Sequence, residues 1–547
     1  MVQFHYFYRS PRLIRPAWRK IRTNSALRKI PLPSGLLGQY KCHVSRRPYT
    51  SFSGFLQTLE TAGELKRVVT PVDTNLQITE LADREMKASG GGKALLFDKP
   101  LVDGKPSVFP LAINTMGSYR RIALALGRNS IEELVEQIRY LLKVKPPNGL
   151  REAISVLLRG GCSLIRARPK RVSEGPCKEI IHRFDGLTDM QELPFSLREL
   201  PILKCWPQDG GRFITLPTVY TQDPDSGERN IGIYRMQVYD GVTTGMHWQI
   251  HKVAARHGRR YFERNERMPV AVALGGDPAL TFAATAPLPD GLDELLFAGL
   301  IRRFPIDLVR CETVDIDVPA HSDFVLEGYI EPGELRPEGP FGDHTGFYTT
   351  VDDYPVFHLQ AITHRREAVY PTTIVGMPPM EDFYIGSAIL RIFLPILQMH
   401  FPEIMDVALP AEGVCHNLLF VSIRKQYAWQ AYKVMHGLWG MGQMMFTKYV
   451  VIVDEDCNVH NTSEVLFRLC ANTDPQRDTS LVKNPSDALD HAPIIPTLGT
   501  HMGFDATRKF PTEGYTRRWP DLIRMSPEIQ IWADKFMETL TQSNMTT

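Results

Sequence analysis

The sequence predicts two α/β domains flanking a β-rich middle, a fold class of α/β plus β, and three observations carry that reading. Helical and extended patterns alternate up to about residue 180, as an α/β unit requires. From about 185 to 360, short β-rich runs are broken by Gly, Pro and Asp at close intervals, a spacing that favours a barrel or sandwich. Beyond 365, β runs alternate with helical segments again.

Taken in order, Thr50 and Ser51 are cap candidates for a helix whose apolar positions Phe52, Phe55, Leu56 and Leu59 recur at helical spacing, with Gly63 as its stop. Leu65 to Val69 reads as a strand. Ile78, Leu81, Ala82 and Met86 mark a second helix that ends at Ser89-Gly-Gly-Gly, and Ala94 to Phe97 is an apolar strand. Gly90-Gly-Gly-Lys93 lacks the spacing of a phosphate loop and has Ala94 where a hydroxyl residue is needed, so it reads as a turn. In the middle third, Ile231 to Val238, Met268 to Leu274 and Leu308 to Val314 read as strands. One helix interrupts them, with Leu292, Leu295, Leu296, Gly299 and Leu300 as its apolar stripe. Glu294 points away from that stripe, and an exposed surface acid is the plain reading of it. Tyr449 to Val453 is a strand of the last third. The final helix has Ser526 as cap, Pro527 in its first turn, and Ile529, Trp532, Ala533, Phe536 and Leu540 on one face. That face must be buried on its own domain or on a neighbouring subunit.

A chain of 547 residues has room for two to four domains, and 43% hydrophobic with 23% charged residues is the composition of an ordinary soluble globular protein. No uninterrupted apolar run approaches the roughly 18 residues of a membrane span, so no transmembrane segment is expected. Eleven of the 63 Lys and Arg fall in residues 1–49, which hold none of the 61 acids. Such a leader reads as a mitochondrial-type targeting segment, a disordered arm or upstream sequence from a wrongly chosen start. Basic residues without a groove or stacking platform give little support to nucleic-acid binding. The eight cysteines form no C-x-x-C pair, which argues against a zinc ribbon or disulfide scaffold and fits a reducing compartment.

Chemistry concentrates in two stretches. Glu338-Gly-Pro-Phe-Gly-Asp343 sets two carboxylates five residues apart around turn formers, and Asn230-Ile-Gly-Ile-Tyr-Arg235 offers an amide and a guanidinium at the same separation. A solvated surface turn is the bland reading of the acids. An arginine beside both would keep at least one ionised and orient the pair for proton chemistry. His247 and His251 stand four apart, but Trp248 occupies the position where a zincin needs glutamate. In an unbroken strand residues 230 and 235 face opposite sides, so a bulge is needed or the two ends of one ligand use opposite faces.

Together with Glu294, these stretches resemble the signature of the UbiD family of prenylated-flavin-dependent decarboxylases, and the similarity runs in order from about Ser51 to about Lys509. The resemblance implies a basic extension over 1–48, an N-terminal α/β domain over 49–180, a split β-barrel flavin-binding domain over 181–360 and a C-terminal α/β oligomerisation domain over 361–547. It implies prenylated FMN, with Asn230, His251 and Glu294 holding a divalent ion on the flavin phosphate. An oxygen-rich set with one imidazole suits Mn2+ or Mg2+, and K+ is a further ion. Ile233, Tyr234, Arg235, His247, Trp248, Gln249 and Lys252 line the cofactor by the same resemblance, and Lys448 is a candidate phosphate contact. Some family members carry Arg at the position of His247 and a His-Arg-Gly-Gly stretch where His251-Lys-Val-Ala stands.

Loss of CO2 from an aromatic or α,β-unsaturated acid leaves electrons that no side chain can accept, which is the role of the cofactor. Asp343 is then the expected proton donor, Arg235 orients the substrate carboxylate, and Glu338 completes the network. A donor acid must be protonated near neutral pH, so one of the two carboxyls is expected to titrate high. The expected substrate is a 4-hydroxybenzoate-type acid, with a cinnamate or acrylic acid decarboxylase, a non-catalytic flavin-binding protein and an ordinary flavin oxidoreductase as alternatives. Gly376-Met-Pro-Pro-Met-Glu-Asp382 is expected to border the substrate pocket. A flavin prenyltransferase as cofactor supplier, a homo-oligomer (dimer or hexamer) and a cytoplasmic, membrane-peripheral or, with a genuine presequence, mitochondrial location complete the expectations.

Overall fold

The computed structural model describes residues 49, 51–142, 167–184, 195–249, 252–288 and 292–543; the basic leader and His251 lie outside the described residues. Ser51 caps the helix Phe52–Thr61, its hydroxyl accepting the Gly54 N–H at 3.1 Å, and Phe52, Phe55, Leu56 and Leu59 are all buried. The glycine run is a turn. At Gly91, with φ +84°, a Cβ would stand 1.8 Å from the Gly117 carbonyl, so only glycine fits this close approach.

The N-terminal sheet runs Leu65–Val68, Ala94–Phe97, Leu111–Ile113 and Tyr370–Thr372. Its last strand therefore enters from beyond the central sheet. The helix Glu381–His400 then ties two cores together. Ile385, Ala388, Ile389 and Ile392 join the N-terminal apolar cluster, while Leu390, Leu394 and Leu397 join that of the C-terminal sheet. Being apolar on both faces, this helix has the length and composition of a membrane span, although half of its most apolar stretch is buried within the protein. It went unnoticed as such in the sequence because Arg391, Gly386 and Ser387 interrupt the apolar run.

The central sheet is antiparallel and seven-stranded, in the order Arg229–Ile233, Thr218–Gln222, Met268–Leu274, Phe324–Glu338, Asp352–His364 and Thr243–Gly245, with Ile180–Arg183 also on Asp352–His364. The barrel expected here is an open sheet. Its two end strands, Arg229–Ile233 and Thr243–Gly245, do not pair with each other. Instead the chain between them leaves the sheet, and Met236–Gln237 pairs with Phe213–Ile214 in a separate ribbon. Across the gap the His247 N–H donates to the Arg235 carbonyl at 3.2 Å, so the opening brings together side chains from both ends of the sheet.

The C-terminal sheet has five strands in the order Ile404–Ala408, Leu418–Ile423, Tyr449–Asp454, Leu498–Asp505 and Thr479–Pro485. The last helix, Pro527–Ser543, leaves Ile529, Trp532, Phe536 and Leu540 exposed on the single chain.

Candidate active site

The strand that begins with Arg229 stops at Ile233, two residues before Arg235, which resolves the tension between positions 230 and 235: the alternation of faces ends before Arg235 is reached. Gly232 permits the break. A Cβ on it would lie 2.6 Å from the Tyr234 ring, which folds back against the strand.

At the near end of the opening, Arg235 gathers both acids. Its Nε donates to Glu338 Oε1 at 2.9 Å, and its Nη1 donates to Asp343 Oδ2. Its guanidinium carbon lies 4.7 Å from the centroid of the Phe341 ring. His247 Nδ1 is 3.0 Å from the same Glu338 oxygen. Asp343 Oδ1 accepts the His344 backbone N–H at 2.7 Å and stands 2.9 Å from His344 Nδ1. Glu338 and Asp343 are both buried, which rules out a solvated surface turn. Burial pushes the Glu338 carboxyl up, but the His247 hydrogen bond and the Arg235 charge outweigh it and hold it below the usual range. For Asp343 burial is again overcome, here by the His344 bonds and Arg235, and its carboxyl lies well below the usual range. The expectation that one of the pair titrates high is therefore not met. His344 moves the other way. Burial lowers it, but its bond to Asp343 and the Asp343 and Asp382 charges lift it to about 9.

The acid turn is clamped from outside. Gly339, at φ +104°, needs glycine's freedom and donates its N–H to Gln237 Oε1 at 2.7 Å. The Gly342 N–H donates to Asp209 Oδ1 at 2.8 Å, and a Cβ on Gly342 would meet Trp206 Cδ1 at 2.2 Å. Trp206 also backs onto Gly376, and its Nε1 donates to the Val375 carbonyl at 2.9 Å. The stretch from Gly376 to Asp382 thus lies against the acid turn.

At the far end, Asn230 Nδ2 is 3.4 Å from the Tyr234 hydroxyl, and Tyr234 accepts from the Ala254 N–H in the first turn of Val253–Glu263. Lys252 is the N-cap of that helix. Glu294 opens the helix Glu294–Arg302 and accepts from the Ile231 N–H, so it faces Asn230's strand rather than solvent. Burial lifts its carboxyl to about 7 against that bond and the Arg229 charge. A cavity of about 610 Å3 lined by Thr221, Arg229 and Asp293 among others lies on the neighbouring surface, and Asn230, Tyr234, Lys252 and Glu294 do not line it.

Asn230, Tyr234 and Glu294 thus gather at one end, and Arg235, His247, Glu338 and Asp343 at the other, while burial lowers the Lys252 ammonium against the opposing charge of Asp487. Trp248 packs against Gly258, and its Nε1, like His247 Nε2, is buried without a hydrogen-bond partner. The Gln249 carbonyl accepts from the Lys252 N–H at 2.9 Å. Ile233 pairs with Thr218 in the sheet. Lys448 lies in the C-terminal domain with its Nζ 2.5 Å from Asp490. Reading the sequence missed His344, His416 and Asp487, which lie together beside Asp343. His344 was legible as the neighbour of Asp343; the other two carry no local motif.

A guanidinium bridging two buried carboxylates at the open end of a sheet is a site for proton chemistry, and the family models make the chain a carboxy-lyase. The chain matches the 3-octaprenyl-4-hydroxybenzoate carboxy-lyase N-terminal domain over residues 56–140, the Rift-related domain over 170–378 and the C-terminal domain over 383–506. It belongs to the UbiD family. An uncharacterized protein of Archaeoglobus fulgidus is 48% identical over 483 residues, 88% of this chain and 96% of that relative. The vanillic acid decarboxylase of Sedimentibacter hydroxybenzoicus, in its closed form, superposes with a TM-score of 0.76 at 26% identity over 90% of this chain and 99% of that one. An evolved dimeric form of the UbiD-class enzyme HmfF from Pelotomaculum thermopropionicum, solved with prFMN, gives a TM-score of 0.70 at 26% identity over 88% and 98% of the two chains.

Proposed function

We propose that this protein catalyses the reversible, non-oxidative decarboxylation of an aromatic or α,β-unsaturated acid of the 4-hydroxybenzoate type, with prenylated FMN and a divalent cation. The observation that carries the reading is Arg235 bridging two buried carboxylates at the opening of the sheet. Likeness to HmfF, solved with prFMN, supports the cofactor. The residues present fit such a group. Trp248 and His247 offer buried nitrogens without partners, the N-terminus of Val253–Glu263 suits a phosphate, and the partly buried Glu294 would offer a carboxylate to a cation beside Asn230. When bound, the flavin supplies the electron sink that no side chain offers.

The chain's own residues do the rest. A substrate carboxylate entering beside Arg235 competes with Asp343 for the guanidinium. Asp343 then loses part of the charge that keeps it ionised, and although the His344 bonds remain, its balance moves towards the protonated form that burial favours. A proton that Asp343 takes up from solvent as the substrate enters is then returned to the carbon that has lost CO2. Glu338, pinned by His247, stays ionised and keeps Arg235 in position. The exposed apolar face of the terminal helix supports assembly into a homo-oligomer.

Expression with and without a flavin prenyltransferase, followed by CO2 release from 4-hydroxybenzoate, vanillate and cinnamate, tests the reading. Turnover is expected only with the prenylated cofactor. Activity with plain FMN, or none with the prenylated form, would overturn it. Glu294→Ala is expected to lower flavin and divalent-metal content together.

A further inference from the structure

We propose that His344, His416 and Asp487 form a second divalent-metal site, which takes a transition cation of the Zn2+, Co2+ or Ni2+ class and leaves coordination positions open to an oxygen ligand. One nitrogen of each histidine and one oxygen of Asp487 all lie within 4.8 Å of one another, and each side chain comes from a different segment. His344 comes from the acid turn. His416 precedes the strand Leu418–Ile423, and Asp487 follows Thr479–Pro485. Ligands bonded at about 2.1 Å stand at most about 4.2 Å apart, so small side-chain adjustments would close the set on one ion.

The orientation of each group points the same way. His344 Nδ1 is engaged by Asp343 Oδ1 at 2.9 Å, which leaves Nε2 as the ligand atom. A carboxylate on the remote nitrogen is the usual support of a metal-bound histidine. Asp487 Oδ1 accepts the Leu489 N–H at 2.8 Å, which leaves Oδ2 for the ion. His416 Nε2 lies 3.2 Å from that Oδ2, close enough to pair with it directly, and the two atoms stand side by side facing the ligand nitrogen of His344.

Backbone strain is the independent sign. Val414 at φ +49° and Cys415 at φ +61° hold two consecutive non-glycine residues in the left-handed region immediately before His416. For a β-branched residue that conformation is an outlier, and such strain persists where a side chain must be held in place. Two imidazoles and one carboxylate favour a borderline transition cation over Mg2+, so this centre differs in chemistry from the oxygen-rich group of Asn230 and Glu294.

The test uses the full chain, stripped with a chelator and titrated with Co2+ and then Zn2+ in the absence of flavin and substrate. One visible Co2+ band per chain is expected, displaced by Zn2+. It should be retained in Glu294→Gln and weakened at least 10-fold in affinity by either His416→Ala or Asp487→Asn. Absence of the band, or its persistence unchanged in both of those variants, would overturn the proposal. Should the variants fail to fold, X-ray absorption of wild type carrying one equivalent of Zn2+ decides: two imidazole ligands are expected, and fewer would overturn it. Because no turnover is measured, failure here is distinct from failure of the decarboxylase reading.

Discussion

His247 Nδ1 lies 3.0 Å from Glu338 Oε1, the oxygen that also accepts from Arg235, while Glu338 Oε2 and His247 Nε2 are buried with no hydrogen-bond partner. The pair thus anchors one edge of each group and leaves the other unpaired. Glu338→Gln keeps the shape but places an amide where two donors need an anion. Turnover should fall by about 10²-fold, the usual cost of letting a positioned group such as Arg235 drift by about 1 Å, with flavin content retained. Steady-state kinetics on the flavin-loaded variant check this; loss of flavin in step with activity would make Glu338 a cofactor-binding residue instead.

Arg235→Met should destabilise the protein in a pH-dependent way. In the native chain both Glu338 and Asp343 titrate below their unfolded values, so the unfolded state binds more protons on acidification. Their stabilisation is present above about pH 4.5 and is lost as pH falls further. Without the guanidinium, the His247 and His344 contacts still oppose burial, and the two carboxyls are held down less far. The variant therefore lacks part of the stabilisation that the native chain has above about pH 4.5. The deficit relative to wild type should be about 3–5 kcal/mol at pH 7, the cost of breaking a buried pair, and should shrink as pH falls below about 4.5. Chemical denaturation at several pH values measures it, and a deficit independent of pH would contradict the assigned charge states.

Much of this site was legible because its residues sit in local patterns. The Glu338 to Asp343 turn and the Asn230 to Arg235 segment each carry their chemistry within six residues, and the capped helix at Phe52 and the apolar strand at Ala94 follow from spacing alone. What failed was set at long range. Glu294 looked like a surface acid because its own helix stripe points elsewhere, and the approach of the Ile231 N–H from another strand partly covers it. The barrel was expected from strand density, but closure depends on whether two end strands meet, and residues 234–242 leave the sheet instead. The charge state of the acid pair was misjudged since counting carboxylates does not reveal that both are bonded to cationic neighbours. His416 and Asp487 are separated from Asp343 by 73 and 144 positions and gave no signal at all.

Gly342→Ala probes whether the acid turn must keep its place. The added Cβ would stand 2.2 Å from Trp206 Cδ1, and Trp206 cannot retreat easily because Gly376 packs on its other edge and its Nε1 is bonded to the Val375 carbonyl. Relief must come from the turn, which carries Asp343 one residue further on. Overpacking of this kind costs about 1–3 kcal/mol, so the variant should remain folded at room temperature. A displacement of Asp343 by as little as about 1 Å can cost two orders of magnitude in rate. Thermal denaturation and turnover of the flavin-loaded variant should therefore diverge: a modest loss of stability with a large loss of kcat. Trp206→Ala in the same background removes the clashing ring and should return part of the lost rate; if it does not, the turn is held by Asp209 and Gln237 rather than by contact with the indole.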